Sequence, residues 1–172
     1  MAYYRTRTYI AADWTGDRSV VDQLYKWNDS ERWKLSFSDA HDLTQSRDTS
    51  KPCSIKKSLS IRLDASKTFV LIVGDNTKSV TKGSCRWCPS YDAYHGSCHA
   101  GGHVTYNSFI QYECEKANKD GLKIVVIYNS SVVNKSKCIE VLKNKGKHLP
   151  AYYYKNGDCY WNYQAIKNAI MD

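Results

Sequence analysis

Apolar residues along this chain recur in two alternating patterns, one typical of strands and the other of helices. Runs rich in β-branched and aromatic residues predict about five strands: Arg7–Ala12, Trp33–Phe37, Thr68–Val73, Leu122–Tyr128 and Ala151–Tyr154. Apolar residues three or four apart predict the helices between them, which begin near Ser19, near Ser50 to Pro52 and at Ser108, with a short helix around Cys138 to Leu142 and a closing helix from Tyr163 to Met171. This alternation predicts a parallel sheet covered by helices on both faces.

The stretch from Ser108 to Asn129 combines a helix, a glycine stop and a buried strand. Ser108 and Gln111 have the spacing of a capping box, and Gly121 supplies the left-handed residue that ends many helices. The residues predicted to face the core lie on one stripe of this helix: Ile110, Cys114 and Ala117. Glu113 is assigned to another stripe, so we expect its carboxylate to point away from the centre of the core. It is then either a solvated surface group or a catalytic carboxylate beside an aromatic wall.

These elements predict an α/β fold with an open, doubly wound sheet of about five parallel strands and helices on both faces. Ligands bind such folds outside the carboxyl ends of the strands. The polar residues expected at that edge are Asp13 and Trp14, Asp39 to Asp42, and Asp75, with Glu113 near the start of its helix. The first strand is not followed by GxGxxG, and the chain has no P-loop, so neither common phosphate-binding motif is present.

Composition narrows the class of protein without deciding its ligand. The chain has 172 residues and a formal net charge of +8, with its basic residues spread along the sequence. An anionic small molecule therefore fits as well as nucleic acid, and we expect no specific nucleic-acid partner. No apolar run is long enough to span a bilayer, and the N-terminus lacks the layout of a signal peptide, so we expect no membrane association and a cytoplasmic location.

Seven cysteines are present, an odd number that argues against a disulfide framework. Three of them lie in a loop rich in Cys and His, at about residues 76–106, between the third strand and the Ser108 helix. Cys85 and Cys88 have the spacing of a zinc knuckle, and Cys98 follows. A fourth ligand would come from the histidines of the same loop: His95, His99 or His103.

We take His103 as the fourth ligand of a possible structural Zn2+. Three cysteines and one histidine close a tetrahedral shell and leave no open position for water or substrate. The alternative is a set of reduced cysteines in an ordinary loop. A redox role for the CxxC pair is disfavoured, because it does not open a helix after a strand.

Four segments of the chain form a recognisable set: TYIAADW, SFSDAHD, KTFVLIVGDNT and FIQYECEKANKDGLKIVVIYN. Through them the chain resembles the TIR-like proteins of bacteria and archaea, which include members of the Thoeris antiphage system. The resemblance covers nearly all of residues 1–172 as a single TIR-like domain. Enzymes of this family carry their catalytic glutamate in a WxxxE motif on the helix after the third strand. Residues 109 to 113 match this motif with Phe109 in place of Trp, which makes Glu113 the catalytic candidate.

The resemblance implies a flavodoxin-like fold and NAD+ as the substrate. Glu113 would stabilise the positive charge that develops on the ribose as nicotinamide leaves. The residues that would complete the NAD+ pocket are Asp13, Trp14, Asp39, His41, Phe109 and Tyr112. The product would be an ADP-ribose derivative, cyclic or conjugated, that acts as a signal in antiphage defence. The implied partners are further copies of the chain and a downstream effector that senses the product.

The competing class is a signalling module without catalysis. A receiver-like protein would use Asp13 and Asp75 with Ser130 and Lys155, but its first strand usually ends in a pair of acidic residues that bind Mg2+. A TIR-like scaffold would act through protein–protein contacts alone. Three of the proposed pocket residues also have a structural reading: turn and cap chemistry for Asp39, a surface position for His41 and packing at the sheet edge for Trp14.

Overall fold

The computed structural model describes residues 5–35, 37–38 and 51–172. Its centre is a parallel sheet of four strands in the order β1-β2-β5-β6. The strands are β1 (Arg7–Ala11), β2 (Ser66–Val73), β5 (Lys123–Tyr128) and β6 (Lys147–Pro150). Val70 of β2 pairs with Ile10 of β1 on one side and with Val125 of β5 on the other, so β2 and β5 form the middle of the sheet. The predicted α/β class with a parallel sheet is confirmed.

The helices cover both faces of this sheet, as the alternation of apolar residues predicts. They are α1 (Arg18–Asp29), α2 (Pro52–Asp64), α3 (Phe109–Lys119) and α4 (Tyr163–Met171). Phe69 and Leu71 of β2 face a core shared with α2 and α3. Val70 and Ile72 face the opposite core, shared with α1 and α4. Each face therefore has its own apolar layer, and a side chain on one face is screened from the other by the sheet.

Two predicted strands are wrong in the described residues. No strand is assigned to the described part of residues 33–38. There Leu35 is buried, and the Ser38 carbonyl accepts one hydrogen bond from the Thr8 N–H of β1. The last strand of the parallel sheet is β6, not Ala151–Tyr154. The aromatic run instead forms an antiparallel hairpin of β7 (Tyr152–Lys155) and β8 (Asp158–Trp161), because Asn156 and Gly157 adopt the positive φ angles of a tight turn.

The segment between β2 and α3 has little regular structure. It contains a 3₁₀ turn at Cys85–Trp87 and a short hairpin of β3 (Tyr91–Asp92) and β4 (Ser97–Cys98). Backbone hydrogen bonds join the two ends of the segment, from Cys85 N–H to the Thr105 carbonyl at 2.9 Å and from Phe109 N–H to the Lys82 carbonyl at 2.8 Å. The segment therefore returns the chain to the first turn of α3. The described residues contain no helix that is both long and apolar enough to cross a bilayer.

Candidate functional site

Helix α3 begins as the sequence predicts. The Ser108 hydroxyl accepts a hydrogen bond from Gln111 N–H at 3.1 Å, and the Gln111 side-chain oxygen accepts one from Ser108 N–H at 2.9 Å, which completes the capping box. Gly121 ends the helix with φ 68°. These two signals set where α3 begins and ends, and the packing of its buried face against the sheet sets the direction of its side chains.

Glu113 points into the core, and the expectation that it faces away is wrong. Its side chain is only 3 % exposed and shares the buried face of α3 with Ile110, Cys114 and Ala117. Glu113 lies three residues after Ile110 and four before Ala117, the spacing at which helical side chains share a face. It therefore lies against the middle of β1, inside the fold and below the carboxyl edge of the sheet.

Tyr9 of β1 holds the buried carboxyl group. Its hydroxyl donates a short hydrogen bond to Glu113 Oε1, and its ring stacks on Phe69 with centroids 5.8 Å apart. Burial raises the pKa of Glu113 to about 8, although the Tyr9 hydrogen bond and the nearby Arg62 guanidinium oppose that rise. In this conformation Glu113 is therefore a neutral carboxylic acid at neutral pH.

The two aromatic residues of the motif lie on the flank of α3. The ring of Phe109 packs over Gly83, where a Cβ atom would come within 2.5 Å of Phe109 Cδ1. Gly83 also has φ 101°, so only glycine satisfies both the backbone angle and the close contact. Tyr112 is half-buried, and the Lys56 ammonium lies 5.9 Å from its ring centroid. Both rings pack against the core on the Glu113 face of the sheet.

Asp13 and Trp14 lie at the carboxyl end of β1, as predicted, but Trp14 packs toward the opposite face. Its ring contacts Tyr25 of α1 at 6.4 Å between centroids and joins the core shared with α1 and α4. The Asp13 carboxylate accepts a hydrogen bond from Thr15 N–H at 3.2 Å. The sheet thus separates Trp14 from Glu113, and this conformation does not bring the predicted pocket together. Asp39 and His41, also predicted for the pocket, lie outside the described residues.

Asp17 ties the carboxyl edge of the sheet together, a role the sequence reasoning missed. Its Oδ1 accepts a hydrogen bond from Asn129 Nδ2 at 2.9 Å, which links the loops after β1 and β5. The carboxylate fills the space above Gly74, where a Cβ atom would come within 1.9 Å of Asp17 Oδ1. Burial raises the pKa of Asp17, with smaller contributions from Asp13 and Asp75. The acidic residues of this edge are therefore neighbours.

The predicted metal ligands Cys85, Cys88, Cys98 and His103 all line one small cavity of about 10 Å³. The wall also includes Cys53 of α2, which the sequence reasoning did not connect with the loop. His95 and His99 lie instead beside Asp92, with His95 Nδ1 2.6 Å and His99 Nε2 3.8 Å from its Oδ2. Across residues 5–35, 37–38 and 51–172, no three His, Cys, Asp or Glu side chains already stand close enough to hold a metal ion.

Comparison with protein families gives one match. Residues 2–82 match the family model described as "Thoeris protein ThsB, TIR-like domain". The matched stretch includes β1, α1, α2 and β2 and ends before α3 begins. A search of curated proteins found no match.

Proposed function

We propose that this chain, whose residues 2–82 match the TIR-like domain model of the Thoeris protein ThsB, cleaves NAD+ and releases nicotinamide. The observation that carries the proposal is Glu113, a carboxyl group placed in an apolar core where the chain resembles the family's WxxxE motif, with Phe109 in place of the Trp. Burying an ionisable group in an apolar core is unfavourable, so such groups concentrate at functional sites. A purely structural position on α3 would be filled at lower cost by an apolar residue.

The proposed chemistry requires Glu113 in its ionised form. Nicotinamide leaves with the electrons of its bond to the ribose, and the positive charge that develops on the sugar is stabilised by a carboxylate. Water, a nucleophile of the same molecule or a second molecule then attacks the sugar carbon and forms hydrolysed, cyclised or conjugated ADP-ribose. With its pKa raised to about 8 by burial, Glu113 is mostly protonated at neutral pH and has no charge to offer.

We therefore assign this structure to a resting state of the enzyme. Activation would move α3 or β1 far enough to release Glu113 from Tyr9 and admit NAD+, and exposure to solvent would return the pKa of Glu113 toward its ordinary value. A defence enzyme that is silent until infection avoids wasting the NAD+ of the cell. In this proposal the cytoplasmic enzyme acts in antiphage defence, assembles with further copies of itself, and makes a cyclic or conjugated product that a downstream effector senses.

The direct test is incubation of the purified protein with NAD+, with and without lysate from phage-infected cells, and analysis of the products by mass spectrometry. We expect nicotinamide and an ADP-ribose derivative in the activated sample. Glu113→Gln should abolish turnover, because it removes the charge and keeps the shape. The matched control is Glu115→Gln, an exposed glutamate of the same helix that accepts a hydrogen bond from Asn107. Turnover by Glu113→Gln equal to that of the control would remove Glu113 from the mechanism.

A non-catalytic TIR-like scaffold is the second candidate. It is favoured by the separation of Trp14 from Glu113 on opposite faces of the sheet, which leaves the predicted NAD+ pocket unassembled in this conformation. Such a protein would act through protein–protein contacts and leave NAD+ intact under every condition of the test above. A receiver-like module has less support. Lys155 lies in the β7–β8 hairpin and not at the end of a parallel strand, while Asp75 Oδ1 is already 2.5 Å from Lys137 Nζ. Acetyl phosphate should leave Asp75 unmodified, and a phosphorylated Asp75 would revive the receiver.

A further inference from the structure

Four cysteines from two distant parts of the chain meet at one cavity. Cys85, Cys88 and Cys98 belong to the segment between β2 and α3, and Cys53 belongs to the first turn of α2. All four line the cavity as free thiols. A Cβ atom built on Gly102 would lie 3.6 Å from the Sγ atoms of both Cys53 and Cys98, so these two sulfur atoms are neighbours at one glycine. The four cysteines therefore bring α2 next to a segment that has almost no apolar core of its own.

We propose that Cys53, Cys85, Cys88 and Cys98 form a four-thiolate site for a structural zinc ion, with Cys53 as the fourth ligand in place of His103. Thiolates are the softest ligands that proteins offer, and four of them in a tetrahedral shell are typical of structural zinc. His103 also lines the cavity, but its side chain is exposed, whereas the four cysteines are buried or half-buried. His95 and His99 lie beside Asp92 and not at the cavity.

The backbone around the thiols has the turns of a zinc knuckle. The Cys88 N–H donates to the Cys85 carbonyl at 3.0 Å, so the first pair of cysteines closes a tight turn. The Gly101 N–H donates to the Cys98 carbonyl at 2.9 Å, which forms a second turn after the third cysteine. The Thr105 N–H donates to Cys85 Sγ at 3.3 Å, the kind of contact that stabilises a metal-bound thiolate. Metal binding and ordering are coupled in such sites, so zinc would draw the thiols inward from their present spacing.

The charges around the cavity suit an anionic metal–thiolate centre. Lys56 of α2 is only 5 % exposed, and its Nζ donates to two neutral oxygens, Thr105 Oγ1 at 2.7 Å and the Asn107 carbonyl at 2.8 Å. No carboxylate within the described residues forms a salt bridge with Lys56, and its electrostatic neighbours are Cys85, Cys53 and, with the smallest influence, Glu115. Zinc with four thiolates carries net negative charge, which would balance the buried ammonium. Cys53 also lies in the first turn of α2, at the positive end of the helix dipole, which suits a metal centre of net negative charge.

Elemental analysis of protein purified without chelator tests the proposal first. We expect about one zinc per chain. Cys53→Ser should remove most of the zinc and lower the melting temperature. His103→Ala should leave the zinc content and the melting temperature unchanged. Cys159→Ser is the matched control, because Cys159 is an exposed thiol in the β7–β8 hairpin. Wild-type protein without bound zinc, or with iron in its place, would overturn the proposal. Zinc retained by Cys53→Ser and lost by His103→Ala would overturn the assignment of Cys53.

A measurement on the wild-type chain keeps the test valid where Cys53→Ser fails to fold. Cobalt(II) substituted for zinc shows charge-transfer absorption from each thiolate, and its intensity separates four sulfur ligands from three sulfurs and one nitrogen. We expect the four-sulfur spectrum. A spectrum of three sulfurs and one nitrogen, or a disulfide between Cys53 and Cys98 detected by mass spectrometry without reductant, would contradict the site. None of these readouts depends on NAD+ cleavage, so this proposal and the proposed function fail separately.

Discussion

The sheet with its helices and the segment between β2 and α3 are held by different forces. In β2, the side chains from Thr68 to Val73 are all buried between two apolar layers. In the segment, Trp87 is 74 % exposed and Tyr94 is 90 % exposed, and Cys85 is a rare buried apolar residue. The sheet is stable because it removes apolar surface from water, whereas the segment depends on local turns and, in our proposal, on zinc. The start of α3, and hence Glu113, depends on both.

The largest expected effect comes from a truncation in the sheet. Leu71→Ala should lower the free energy of unfolding by roughly 2–5 kcal/mol, because Leu71 is fully buried and the change leaves a cavity. Its counterpart in the segment is Trp87→Ala, which should change stability by less than about 0.5 kcal/mol because most of that ring is already in water. Urea unfolding of both variants checks the pair. A large loss in Trp87→Ala would show that the segment contributes apolar burial to the fold.

A second prediction concerns the pH dependence that Glu113 imposes on stability. Its folded pKa is raised to about 8 by burial, and its unfolded pKa lies in the ordinary glutamate range. Below the unfolded pKa both states hold the proton, and the stabilising contribution is fully present. As pH rises toward the folded pKa, the unfolded chain releases the proton while the folded chain still holds it, so the contribution is progressively lost.

The variant Glu113→Gln cannot release this proton, so it isolates the effect. We expect the wild-type protein to lose stability relative to Glu113→Gln between about pH 5 and about pH 8. The measurement is urea unfolding of both proteins at a series of pH values, because other titrating groups cancel in the difference. A difference that stays constant across this range would mean that Glu113 is ionised in the folded protein, and would contradict the resting state proposed above.

The orientation of Glu113 could have been predicted from spacing alone. Ile110, Cys114 and Ala117 were assigned to the core at i, i+4 and i+7, and the missing member of that set is i+3, which is Glu113. Because glutamate is a charged residue, its type favours the solvent-facing side of the helix, which is the wrong face for Glu113. The residue type of Glu113 does not reveal its partner. Tyr9, more than a hundred residues earlier, supplies the hydrogen bond that makes the burial of Glu113 tolerable. The partner of a buried polar group is a tertiary contact, and no local pattern encodes it.

The same limit explains the strands and the cysteines. Periodicity predicts β2, β5 and α4 within about two residues, because each is buried by its own pattern. It does not predict β6, whose short KHLP sequence becomes a strand through pairing with β5. Nor does it connect Cys53 to Cys85, since the cavity that both line depends on how α2 packs against the segment. Burial that repeats along the chain can be predicted from sequence, and contacts between distant residues cannot.

A matched pair of glycines sharpens the comparison between the sheet and the segment. Gly121 ends α3 with φ 68°, and Gly96 turns the β3–β4 hairpin with φ 61°. A Cβ atom at either position would meet no other atom within 4 Å, so alanine at each site costs only the strain of a left-handed backbone. That strain is about 1–2 kcal/mol. With zinc bound through Cys98, both Gly121→Ala and Gly96→Ala should lower the free energy of unfolding by about this amount.

Removal of zinc by a chelator should then separate the two variants. Gly121→Ala should still lower the free energy of unfolding by the full amount, because Gly121 lies between α3 and β5 and unfolds with the sheet. Gly96→Ala should lose most of its effect, because the β3–β4 hairpin pairs only two residues on each strand and would open locally before the sheet unfolds. Unfolding curves of both variants with and without chelator measure this. If Gly96→Ala lowers the free energy of unfolding equally with and without chelator, the segment folds with the sheet and does not need a metal.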